Sequence, residues 1–145
     1  MTDSGFDIGL DDASQAGVYE VDAADLPALA AAARDSGLLV RRIDLDGCRD
    51  KQTLLLRIAT VLDLPAGRGG NWDALMDALR DLEWLPAPGY VLLFEAAAPL
   101  RTAQPGHLQT LLDLLQEASH WWAEADVPFW VFMALDPAPT ALRGH

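Results

Sequence analysis

Three aspartates, Asp73, Asp77 and Asp81, follow one another at i, i+4 and i+8. On a helix that spacing puts all three carboxylates on one face. Like charges so placed repel by roughly 0.2–0.5 kcal/mol a pair, and aspartate is a poor interior helix former. The row costs the helix stability, so a cationic partner outside it is the simplest reason for it. The chemistry on offer is charge pairing, not bond making. Asn71 can start the helix by accepting a free N–H of the first turn. From there Trp72, Leu75, Leu79 and Leu82 make an apolar stripe opposite the carboxylates, which predicts a helix from Asn71 to about Leu85. Asp73 lies where the helix dipole favours an anion, whereas Asp77 lies beyond the first turn. Arg80, three residues after Asp77, is placed to neutralise part of its charge. Asp81 and Glu83 read as solvated surface.

The elements around this helix alternate. Val18 to Val21 and Leu38 to Leu45 read as strands, joined by an alanine-rich helix that Asp22 or Asp25 can cap and Gly37 stops. Asp50 can cap a helix that ends at Leu64-Pro65, because a residue before proline disfavours helical geometry. Tyr90 to Glu95 and Pro128 to Leu135 are continuous apolar runs of the buried-strand kind. Between them, residues 99–106 read as a loop, followed by a helix bearing Leu108, Leu111, Leu112, Leu115 and Trp122. Trp121 and Trp122 cannot both face the core, since neighbouring helical residues point about 100° apart. Short apolar strands alternating with amphipathic helices predict an α/β domain around a small, mostly parallel sheet. Residues 1–16 and 137–145 read as loose tails on one domain spanning 17–136.

Composition limits the function classes. The formal net charge is −12 and 51% of residues are hydrophobic. The bulk is therefore globular, and the charge argues against non-specific binding to nucleic acid or an anionic membrane. No apolar run approaches the roughly 20 residues of a membrane span, and the N-terminus lacks a signal-peptide pattern. Cys48 is the single cysteine, so no disulfide or cysteine-based metal framework forms within the chain. A cytoplasmic protein without cofactor or metal is expected. His107, His120 and His145 lack ligand spacing. Gly67, Gly69 and Gly70 precede a helix, but without the Gly-x4-Gly-Lys-Ser/Thr spacing of a phosphate loop, and Asp73 would oppose a phosphate. Glycines that let a loop mould to a partner fit better.

The run Leu64-Pro65-Ala66-Gly67-Arg68-Gly69-Gly70-Asn71-Trp72-Asp73-Ala74-Leu75-Met76-Asp77-Ala78-Leu79 resembles the signature of the barstar family, small intracellular inhibitors of barnase-type ribonucleases. Ile43 to Gly47, Asp81 to Leu85, Glu117-Ala118, Trp121-Trp122 and Val127 to Phe129 extend the resemblance to residues 39–136. Residues 17–38 look like the extra β-α element of a longer subgroup. The resemblance implies a barstar-like α/β fold with three core strands and a candidate fourth from the extension. It implies no catalysis. An acidic helix and its preceding loop would enter the ribonuclease active site, with carboxylates in place of substrate phosphates. Asp77 would carry the main charge and Asp73 would support it one turn earlier. Gly67, Arg68, Gly69, Gly70, Asn71, Met76 and Arg80 would complete that surface. Glu117 is the closest match to a contacting glutamate of the last helix, with Glu124 the alternative one register shift away. The chain departs from the family in Ala66, Gly67 and Arg68, where bulky aromatics are usual, and in Met76, where the namesake has tryptophan. The implied partner is a basic ribonuclease or ribonuclease toxin, bound one-to-one by a chain that is monomeric when free. A non-inhibitory module with another basic partner is the alternative. An α/β enzyme or nucleotide-binding domain rests only on fold class.

Overall fold

Two strands, apolar but for one glutamate at the end of the first, form the centre of the sheet. The computed structural model describes residues 9–65 and 68–137. Among these, β1 (Val18–Glu20), β2 (Leu39–Asp44), β3 (Tyr90–Glu95) and β4 (Phe129–Met133) form one sheet in the order β1-β4-β3-β2. Every neighbouring pair is parallel, so the expected fourth strand joins and the sheet is wholly parallel. β3 and β4 are buried at every residue, as strands covered on both faces must be. Apart from Glu95 at the end of β3, the charged residues of the sheet lie on the edge strands β1 and β2.

Helix α1 (Leu26–Asp35) covers one face through Leu26, Leu29, Ala30 and Ala33, which pack with Val91, Leu93, Trp130 and Phe132. The other face carries α2 (Lys51–Val61), α3 (Trp72–Leu79), α4 (Ala98–Ala103) and α5 (Pro105–Glu124). Their core includes Leu54, Ile58, Leu75, Leu79, Leu111 and Leu115 against Leu92, Phe94, Phe129 and Val131. The result is a three-layer α/β domain.

Local rules explain most boundaries. Asp50 accepts the Thr53 N–H at 2.8 Å and starts α2. Gly37, at φ +79°, ends α1, with Leu38 N–H returning to Ala33 C=O at 3.0 Å. That is the left-handed stop for which glycine carries no Cβ penalty.

Several expectations change. Residues 10–16 are not a loose tail: Leu10 and Ala13 are buried, and Leu10 C=O accepts the Trp130 indole N–H at 2.7 Å. A buried indole requires an acceptor, and this segment supplies it. The tails at 1–8 and 138–145 lie outside the described residues. Neither Asp22 nor Asp25 makes a capping bond. A short 3-10 turn, Ala23–Asp25, leads into α1, so Asp25 already has helical backbone angles. Helix α2 stops at Val61, before Leu64-Pro65, because Asp63 turns left-handed at φ +54°. Residues 99–106 are not a loop. Pro99 and Pro105 sit in the first turns of α4 and α5, where proline's missing N–H costs nothing.

Candidate functional site

The acidic helix begins as its sequence requires. Asn71 accepts the Ala74 N–H at 2.7 Å. Just before it, Gly69 is buried at φ +86°, and a Cβ there would lie 2.6 Å from Leu64 Cδ1. Only glycine fits a turn that is left-handed and pressed against a side chain. Gly70 and Asn71 are exposed beside it. Gly67 and Ala66 lie outside the described residues.

Helix α3 ends at Leu79, not near Leu85. Leu82 turns left-handed at φ +48°, and its N–H returns to Ala78 C=O at 3.1 Å. The shorter helix breaks the aspartate row. Asp73 and Asp77 remain exposed on one face, while Asp81 lies past the helix end. Asp81 instead pairs with Arg68 at 3.2 Å. The Arg68 guanidinium also sits 5.2 Å from the centre of the Trp84 ring, and Trp84 donates to Leu62 C=O. Arg68 is thus folded onto its own protein, although the sequence places it in the partner-facing loop.

Asp73 forms no ion pair or side-chain hydrogen bond among the described residues. Asp77 pairs with Arg80 at 3.1 Å, as the i, i+3 spacing predicts. Met76 is only 9% exposed and belongs to the core. Its remaining surface forms part of a groove of about 190 Å³ with Arg80, Glu117, His120, Trp121 and Glu124. Glu117 and Glu124, seven residues apart, are both exposed on α5 and both line that groove. The two register alternatives therefore meet at one place.

Trp121 is the residue whose importance the sequence left open. It is 50% exposed. Its indole N–H donates to Arg80 C=O at 3.2 Å, and the Arg80 guanidinium lies 5.6 Å from the centre of its ring. Trp122 is half-buried and donates to Leu79 C=O at 2.7 Å. The register of Leu108, Leu111, Leu115 and Ala118 on α5 carries on to Trp122, which marks Trp121 as the outward one.

Among the described residues no cluster of histidine, cysteine, aspartate or glutamate has the geometry to hold a metal ion. Cys48 is buried and burial pushes its thiol pKa up, which disfavours the reactive thiolate. A larger groove, about 410 Å³, lies on the α1 side among Tyr19, Leu29, Trp130 and Phe132. It does not adjoin the acidic helix.

The parallel α/β domain presents exposed carboxylates on a capped helix, beside a groove with an aromatic wall. The model of the family described as Barstar (barnase inhibitor) matches residues 38–134. The chain belongs to the barstar family. No individual curated protein matches the chain.

Proposed function

We propose that the chain is a protein inhibitor of a barnase-type ribonuclease, acting in the cytoplasm and binding its target one-to-one. The observation that carries this reading is the exposure of Asp73 and Asp77 on one face of α3, beside Glu117 and Glu124 on α5. Asp77 pairs with Arg80, which lines one groove with Glu117 and Glu124, on a chain with net charge −12. Such a surface suits the cationic active site of an enzyme that binds RNA phosphates, and steers a basic protein toward it. Asp77 is the main charge in this reading, Asp73 supports it, and the turn at Arg68, Gly69, Gly70 and Asn71 borders the contact. Among the described residues no helix is long and apolar enough to cross a membrane.

Titration calorimetry against a barnase-type ribonuclease, at low and at physiological salt, tests the reading together with an RNA-cleavage assay. One-to-one binding that weakens with salt and stops cleavage is the expected result. Absence of binding at low salt would overturn it. One observation favours the second reading, a module for another basic protein: the loop has Ala66, Gly67 and Arg68 and no aromatic anchor, and Arg68 is folded onto Asp81 and Trp84.

A further inference from the structure

The contact between Arg80 and Trp121 has a use beyond packing. Arg80 is held twice. Its backbone C=O accepts the Trp121 indole N–H, and its guanidinium lies over the Trp121 ring while reaching Asp77. The two ties are independent. Removing the side chain leaves the bond that orients the indole in place. A slot then opens between the Asp77 carboxylate and the face of Trp121, on the groove that Glu117 and Glu124 line.

That slot suits a guanidinium, because the chain's own arginine already occupies it. Guanidinium groups are planar and weakly hydrated, and they stack on aromatic faces while pairing with carboxylates. The occupant is weakly held. Asp77 is 69% exposed and the Arg80 side chain 38% exposed, and surface pairs of this kind contribute little. We propose that Arg80 is an internal stand-in for an arginine of the protein partner. On binding, the partner's guanidinium displaces it and lies on Trp121 between Asp77 and the α5 glutamates. Trp121 is then the aromatic anchor of this interface, placed on the last helix and not on the loop. Arg80 sets specificity, since a partner lacking a suitably placed arginine leaves the slot closed. The identity of the partner rests on the inhibitor reading; the slot itself does not.

Nα-acetyl-arginine N-methylamide is the direct probe, read by the Trp121 indole N–H resonance, which is assigned by its loss in Trp121→Phe. In Arg80→Ala and Arg80→Gln the probe should produce a saturable shift of that resonance. The parent chain should respond at least about twofold more weakly, as expected for competition by an i, i+3 ion pair. The neutral acetyl-glutamine analogue should have no effect. An equal response in parent and variants, or none in either variant while its resonances stay dispersed, overturns the slot. Against a barnase-type ribonuclease, Arg80→Ala should bind more tightly and Trp121→Ala about tenfold more weakly. If the probe fills the slot and the ribonuclease does not bind, the inhibitor reading fails and the slot stands.

Discussion

The indole N–H of Trp122 donates to the backbone carbonyl of Leu79 at 2.7 Å. Leu79 is the last residue of α3, whose final carbonyls have no partner within the helix. Trp121 serves the next carbonyl, that of Arg80. An eight-residue helix is too short to persist alone. Its end is therefore completed by α5, so the helix that carries Asp77 and the helix that carries Glu117 hold each other in place.

Trp122→Phe tests that dependence. It keeps most of the packing against Tyr90 but leaves the Leu79 carbonyl without its donor. A loss of about 1–2 kcal/mol is expected, and Trp122→Ala should cost about 3 kcal/mol or more. Urea denaturation reads both. An unchanged midpoint for Trp122→Phe would mean that water replaces the indole.

The start of α3 should be equally sensitive. Asn71→Ala removes the bond to Ala74 N–H and should cost about 1 kcal/mol. Gly69→Ala should cost more, because its Cβ would meet Leu64 at 2.6 Å in a left-handed turn. The melting temperatures should fall in that order. If Gly69→Ala proves the milder change, the turn is free to move.

Chain order and burial pattern made the fold legible. The apolar runs Tyr90 to Phe94 and Phe129 to Met133 announce strands buried on both faces, and Asn71, Asp50 and Gly37 each act as local chemistry predicts. What stayed hidden depended on contacts distant in sequence. The docking of Leu10 follows from Trp130 needing an acceptor. The early end of α3 follows from left-handed angles at Leu82, a residue with no sequence signal for them. For the same reason the Asp81 carboxylate could not be separated from the acidic row, nor Arg68 from the loop surface, until their ion pair was seen.

Acid should weaken the protein partly through Asp50. Its hydrogen bonds, first from the Thr53 backbone N–H, hold its pKa below the usual 3.8. A carboxyl whose pKa is lowered by folding adds stability above its unfolded value and loses it as pH falls through the folded one. The loss therefore belongs below pH 3.8. Asp50→Asn keeps a capping oxygen but does not titrate, so its stability should fall less steeply with acid in that window. Asp12, lowered by Ser14 in the same sense, should leave a residual slope. Identical slopes for parent and variant would remove Asp50 from the account.

Glu95 is wholly buried at the end of β3, and Arg42 on the neighbouring β2 reaches it, Nε to Oε2, at 2.6 Å. Arg42→Met would take the cation from a buried carboxylate. The Arg42 side chain is one-third exposed, so water can reach part of the gap and the cost should lie near the lower end, about 3 kcal/mol. The double variant Arg42→Met, Glu95→Leu should recover most of that, since a buried ion pair often gains little over an apolar one. Denaturation of the two singles and the double gives the coupling. Additive effects would mean that the pair is not coupled.

The separation of site from scaffold is testable on α3 itself. Asp77 is exposed, and it pairs with Arg80, whose side chain is itself 38% exposed, so Asp77→Ala should change folding stability by less than about 0.5 kcal/mol. Against a basic ribonuclease partner it removes a charged acceptor, worth about 2 kcal/mol, and the loss should appear mainly in the dissociation rate. Asp73→Ala should act in the same direction with smaller effect. Glu83→Ala is the control: it is equally acidic and exposed, but lies beyond the helix end. It should slow association slightly through net charge and leave dissociation alone. If Glu83→Ala matches Asp77→Ala in both rates, the partner responds to overall charge, and α3 has no privileged place in the contact.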